Sequence, residues 1–249
     1  MGFFIVRKAK TIKGLKVSEE DPELSVLLTA WVKAVERYTS ANERDNPWWY
    51  NERASLSVLA GAAWTLKNWH ALEEFSTQKR HRTLKPGVDG GSLRNGRCDL
   101  YVQSPQTSYA IEAKHTVQPI GSRSDGYTFM YRAMRKAWED SGDLSNWEAD
   151  RRFAVTFVVP SIPMSEVVID DGVERVCPSK VEQSIKSWLT EQPSYTGTSL
   201  KKTDFAFIFP GLGNPHYSLD GRYYPGVLVI FEERYRAHRR QACAVVEMR

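Results

Sequence analysis

The chain has 249 residues, enough for one sizeable domain or two small ones, and one domain spanning 1–249 is the simpler reading. With 41% hydrophobic and 26% charged residues it carries enough apolar material for a real core, which excludes disorder along its whole length. A formal net charge of +4 leans weakly toward acidic partners such as nucleic acid. The three widely spaced cysteines, Cys98, Cys177 and Cys243, fit neither a disulfide framework nor paired zinc ligands and imply a reducing, cytoplasmic setting.

The apolar run in MGFFIVRKAK is too short for a signal sequence, and no stretch elsewhere approaches the ~18 apolar residues of a membrane span, so no membrane is expected. In chain order, Phe3 to Val6 reads as a strand. Asp21-Pro22 then opens a helix with Leu24, Leu27, Leu28, Trp31, Val32 and Val35 at helical spacing, ending by Thr39. After the aromatic cluster Trp48, Trp49 and Tyr50, a second helix runs from about Asn51 to Lys67 with Leu56, Leu59, Ala60, Ala63 and Trp64 on its apolar face.

A strand follows around Ala71 to Gln78, and then a basic segment in which Lys79, Arg80, Arg82, Lys85, Arg94 and Arg97 face a single acid, Asp89. Two short strands, Cys98 to Val102 and Tyr109 to Lys114, are joined by the turn residues Ser104 to Thr107. Next come a helix from Tyr127 to Asp140, a buried strand from Phe153 to Val159 stopped by Pro160, and a helix from Ser179 to Leu189. Strands at Phe205 to Phe209 and Gly226 to Phe231 lead into a basic tail that holds Arg234, Arg236, Arg239 and Arg240. This order predicts an α/β fold, a central mixed sheet flanked by helices.

Strand side chains alternate between faces, so Cys98, Leu100 and Val102 share one face and leave Asp99 and Tyr101 on the other. In the next strand Ile111 and Ala113 face one way, Glu112 and Lys114 the other. If the turn pairs Gln103 with Ser108, counting back sets Asp99 directly across from Glu112, with Lys114 diagonal on the same face. Two opposed carboxylates need more positive charge than one lysine supplies. A divalent cation with hard oxygen ligands, Mg²⁺ or alternatively Mn²⁺, would complete the balance.

Asp99, twelve intervening residues and then Glu112-Ala113-Lys114, preceded by a helix with an early Glu52, resembles the PD-(D/E)xK nuclease superfamily. The resemblance covers about residues 51–159. It implies a restriction-endonuclease-like core at about 47–160, with an N-terminal helical extension over 1–46 and C-terminal strands as additions. It further implies that Asp99, Glu112 and the Ala113 carbonyl bind the metal, that Lys114 orients the attacking water, and that Glu52 is the additional acid of the catalytic set. The expected activity is phosphodiester hydrolysis, with DNA as substrate and endonuclease action favoured. Cys98 stands where the superfamily's name has Pro, a departure in the motif and not in the catalytic set. A catalytically inactive nucleic-acid-binding or assembly module with the same fold, and an RNA-directed nuclease, are the alternatives; a homodimer or a partner protein is compatible with each.

Lys79, Arg80, Arg82, Arg132 and Arg135 are candidate phosphate contacts, with Lys136, His115 and Gln118 behind them. The plainer readings are a solvated hairpin for the Asp, Glu and Lys set, a helix-terminal acid favoured by the macrodipole for Glu52, and an ordinary strand-end polar residue for His115.

Overall fold

The structure is a computed structural model that describes residues 10–80, 93–145, 147–169, 175–191 and 203–234. The expected strand at Phe3 to Val6, together with Arg82, Lys85 and the tail arginines beyond Arg234, lies outside these residues. The main elements are β1 (Ile12–Lys16), α1 (Pro22–Ala41), α2 (Glu52–Trp64), β2 (His70–Arg80), β3 (Leu93–Gln103), β4 (Ser108–Pro119), α3 (Thr128–Asp143), β5 (Arg151–Pro163), α4 (Pro178–Glu191), β6 (Thr203–Phe209) and β7 (Val227–Arg234).

The strands form one mixed sheet in the order β1-β6-β7-β5-β4-β3-β2, parallel between β4 and β5 and antiparallel at the other pairings along that path. A parallel pair needs a crossover, and α3 supplies it. Helices α1 and α2 cover one face. Arg151, beside Tyr109 in the register, bonds Asp21 at the start of α1 there. Helix α3 covers the other face, where Gln118 Oε1 accepts from Met130 N and Arg152 donates to Leu144 O. Each helix forms where its apolar residues fall on one side. Asp21 caps α1 by accepting from Leu24 N, and Leu24, Leu27, Leu28, Trp31 and Val35 are buried behind it.

Three expectations change. β1 was not foreseen. The strand expected to stop at Pro160 runs on to Pro163, because pairing of β7 with β5 ends at Val158 and no ladder bond on that side calls on the N–H that proline lacks. Trp64, counted on the apolar face of α2, is 55% exposed at the helix end and donates its Nε1–H to Ala71 O.

Two features of the sheet shape the region around Asp99. First, β3 and β4 part company. Their ladder runs from Gln103↔Ser108 to Leu100↔Ile111 and stops there, whereas β4 stays paired with β5 out to Pro119 and β3 stays paired with β2 out to Leu93. A wedge opens between them. Second, the β2–β3 ladder steps from Glu73↔Leu100 to Phe75↔Cys98, and Glu74 between them has φ of 53°.

A left-handed residue breaks the alternation of faces. Phe75 stacks on Tyr101 with ring centroids 5.0 Å apart, and Cys98 packs with Ala110, so Cys98 does not share the face of Leu100 and Val102 as strict alternation predicts. Beyond the flip, Thr77 and Lys79 follow Phe75 onto the α3 face.

Glu74 therefore sets the direction of the distal hairpin. Glu74→Val should cost about 1–3 kcal/mol in urea unfolding, because a β-branched residue is strained at positive φ, while Glu74→Gly should stay within about 1 kcal/mol of the parent. Equal stabilities for the two variants would show that the left-handed residue is not a constraint on the fold.

Candidate active site

The parting of β3 and β4 leaves the edge of β4 without a strand partner from Ala113 onward on that side, and side chains take the place of the missing ladder. Asp99 Oδ2 accepts from Ala113 N at 2.8 Å, and the Glu52 carboxylate lies near the His115 N–H, which works to lower its pKa. Lys114 Nζ donates to Ala113 O at 2.5 Å, and the Cys98 thiol donates to Ile111 O at 3.3 Å. The ladder thus ends one pair short of the expected Asp99–Glu112 opposition, and Asp99 turns its carboxylate to the β4 backbone instead.

Glu112 lies on the α3 face and is nearly fully buried. Its Oε1 stands 2.7 Å from Lys79 Nζ, close in distance but poorly angled for a hydrogen bond, so the contact is chiefly an ion pair. Lys114 Nζ is 3.0 Å from Asp140 Oδ2 on α3 and 3.8 Å from Glu52 Oε2 on α2. The structure thus brings Glu52, Asp99, Glu112, Ala113 and Lys114 together around one gap.

Burial pushes the Glu112 carboxyl up to about 8, and the neighbouring Asp99 charge adds to the rise against the opposing pull of Lys79 and Lys114. Burial also raises Glu52, helped by Asp99 and Asp140 and opposed by Lys114 and the His115 N–H. For Lys114, burial works to lower the pKa, but Asp140, Glu52 and Asp99 outweigh it and the ammonium is held. These are the perturbations that acids and a cation impose on one another in a poorly solvated site.

Two residues enter the site that sequence reasoning missed or misread. Asp140 carried no signal beyond its helical position, where Lys136 four residues earlier pairs with it at 3.3 Å. Lys79 reads in the sequence as a candidate phosphate contact, yet its side chain is only 14% exposed and directed at Glu112. Of the other candidates, Arg132 is exposed with its guanidinium 5.8 Å from the Phe129 ring centroid, and Arg135 is 77% exposed with a weak contact to Glu139. Arg80 ends β2, and Arg82 lies outside the described residues.

Gln118 is fully buried and satisfies the first-turn N–H of Met130 in α3, a structural task. The His115 ring meets Trp48 O at 3.3 Å and burial lowers its pKa, which favours a neutral anchor for the Trp48 segment.

Among the described residues no three His, Cys, Asp or Glu side chains converge as a metal-binding group. What the site offers is two carboxylates, Asp99 and Glu112, and the Ala113 carbonyl. That donor set fits a hard cation such as Mg²⁺, which takes one or two protein carboxylates and keeps several waters. The Ala113 carbonyl and the Glu112 carboxylate each already hold an ammonium, which shows that both attract positive charge.

Compared with known proteins, the chain matches no family model, no curated protein and no solved structure.

The N-cap of α2 is Asn51, whose side chain accepts from Ala54 N at 3.1 Å, and Glu52 stands in the first turn, where its charge also suits the helix dipole. Asn51→Ala should lower unfolding free energy by about 1 kcal/mol, whereas Glu52→Gln, which keeps an acceptor for His115 N, should stay within about 0.5 kcal/mol. Chemical denaturation of both variants measures this. A Glu52→Gln loss as large as that of Asn51→Ala would make Glu52 a structural residue.

Proposed function

We propose that the protein is a divalent-metal-dependent nuclease with a restriction-endonuclease-like core, hydrolysing phosphodiester bonds and acting on DNA. The observation that carries this reading is the meeting of Asp99, Glu112, the Ala113 carbonyl, Lys114 and Glu52 at the parting of β3 and β4. Asp99, Glu112 and Ala113 O would hold Mg²⁺ or Mn²⁺, which supplies a Lewis acid for the phosphate and lowers the pKa of its water.

The chain's own residues do the rest. Asp140 and Glu52 hold the Lys114 ammonium beside Ala113 O, where it can orient a water and face negative charge growing on the phosphate. Glu52, its carboxyl raised by burial, is placed to share a proton with that water. Exposed Arg132 and Arg135 on α3 supply sequence-independent contacts to the strand backbone.

One observation favours a second reading. Lys79 already pairs with Glu112, and Asp140 already engages Lys114, so protein groups offset much of the charge without a metal. That balance suits a non-catalytic module that binds nucleic acid or assembles on it.

Purified protein with closed circular DNA, and with matched linear DNA and RNA, separates these readings. Nicking or linearisation is expected with Mg²⁺ or Mn²⁺ and not with EDTA. Asp99→Ala and Glu112→Ala should abolish cleavage while leaving cooperative unfolding intact. Lys114→Ala should reduce turnover about 10²–10⁴-fold with much smaller change in DNA affinity. Metal-independent binding without cleavage by the parent protein selects the second reading, and cleavage of RNA alone reassigns the substrate.

A further inference from the structure

We propose that Lys79 is the resident counter-ion of Glu112 and that a divalent cation enters the site by exchanging with its ammonium, so that Lys79 sets the site's affinity for metal. The proposal rests on the reading of Asp99, Glu112 and Ala113 O as metal donors. It concerns a residue that neither the Asp, Glu and Lys pattern nor its spacing singles out.

Three separate features of the fold direct Lys79 at Glu112. The left-handed Glu74 turns the distal part of β2 so that Lys79 faces α3 and β4. Gly96 on β3 leaves room for its stem, since a Cβ there would come within 2.9 Å of Lys79 Cγ and Cδ. The segment after α3 clamps its backbone: Lys79 bridges Leu144, Ser145 N donates to Gln78 O, and Gln78 N donates to Glu148 Oε1. A lysine held only by chance contact on a solvated strand has no need of these.

The ammonium and a divalent ion cannot both occupy Oε1 of a carboxylate that is only 4% exposed, because like charges at contact distance in a poorly screened site repel strongly. The lysine head sits on a flexible four-carbon stem and can swing away while its backbone stays clamped. Before metal arrives, the same head stands against the buried carboxyl and holds it in place.

The test is Mn²⁺ binding to the full chain, followed by calorimetry and by the loss of free-Mn²⁺ paramagnetic resonance signal, without substrate. Parent protein should bind Mn²⁺, and Glu112→Gln should not. Lys79→Met should bind about tenfold more tightly than the parent, since no ion pair need be broken. Gly96→Ala, which pushes the lysine stem off its path, should move affinity in the same direction, and it decides by the same criterion where Lys79→Met does not fold. Parent binding that depends on Glu112 but is unchanged or weakened in Lys79→Met and Gly96→Ala overturns the exchange and leaves the metal site standing. Absence of Mn²⁺ binding in parent and variants alike overturns the metal reading itself, and this proposal with it.

Discussion

A strand that loses its neighbour partway must still satisfy every N–H and C=O that pointed toward it, because a buried unpaired backbone group is costly. β4 meets that requirement from Ile111 onward, where β3 leaves it. Asp99 serves Ala113 N, Lys114 serves Ala113 O and the Cys98 thiol serves Ile111 O, while the Glu52 carboxylate lies near the His115 N–H. Here acids meet the freed donors, and an ammonium and a thiol meet the freed acceptors, so the backbone deficit gathers charged groups at one gap. The candidate chemistry and the local stability of the sheet therefore draw on the same side chains.

Charge gathered in this way is only locally balanced. Glu112, pushed to about 8 by burial and by Asp99, gains less from being ionised than an exposed carboxylate does. The chain has another buried charge cluster that behaves differently. Arg151 bonds Asp21 and Glu233 at once and lies over the rings of Tyr109 and Phe153. There one guanidinium joins two carboxylates across packed elements, with both acids beneath closed structure and no parted ladder beside them. The comparison locates the candidate site by the open strand edge rather than by charge density, since both clusters are dense in charge.

The alternation of side chains and the turn at Ser104 to Thr107 make the Asp99, Glu112 and Lys114 grouping legible in the sequence, and Gln103 does pair with Ser108. The end of the ladder is not legible, because it comes beside the left-handed backbone of Glu74, a residue type with no special preference for that conformation. Lys79 reads as one member of a basic run, since its burial follows from the flip at Glu74 and the gap at Gly96, both tertiary facts. Asp140 is hidden for the same reason: an acid four residues after Lys136 looks like an ordinary helix-surface pair. Asn51 and Glu52 show the reverse case, where adjacent residues of plausible capping type divide two tasks that only coordinates can assign.

The crossover between the parallel strands has a further consequence. Gln118 near the end of β4 holds Met130 at the start of α3, and Lys114 holds Asp140 near the helix end. Four residues of strand cover about 13 Å and ten of helix about 15 Å, so the two spans match to within the reach of a lysine side chain. Helix and strand run antiparallel and are pinned at both places. The connection that a parallel β4–β5 pair demands for topology thereby also sets where the Lys114 ammonium can rest. A shift of α3 along β4 would have to break the Gln118 contact before it could move Asp140 away from Lys114, which ties the position of the candidate catalytic cation to the packing of the fold.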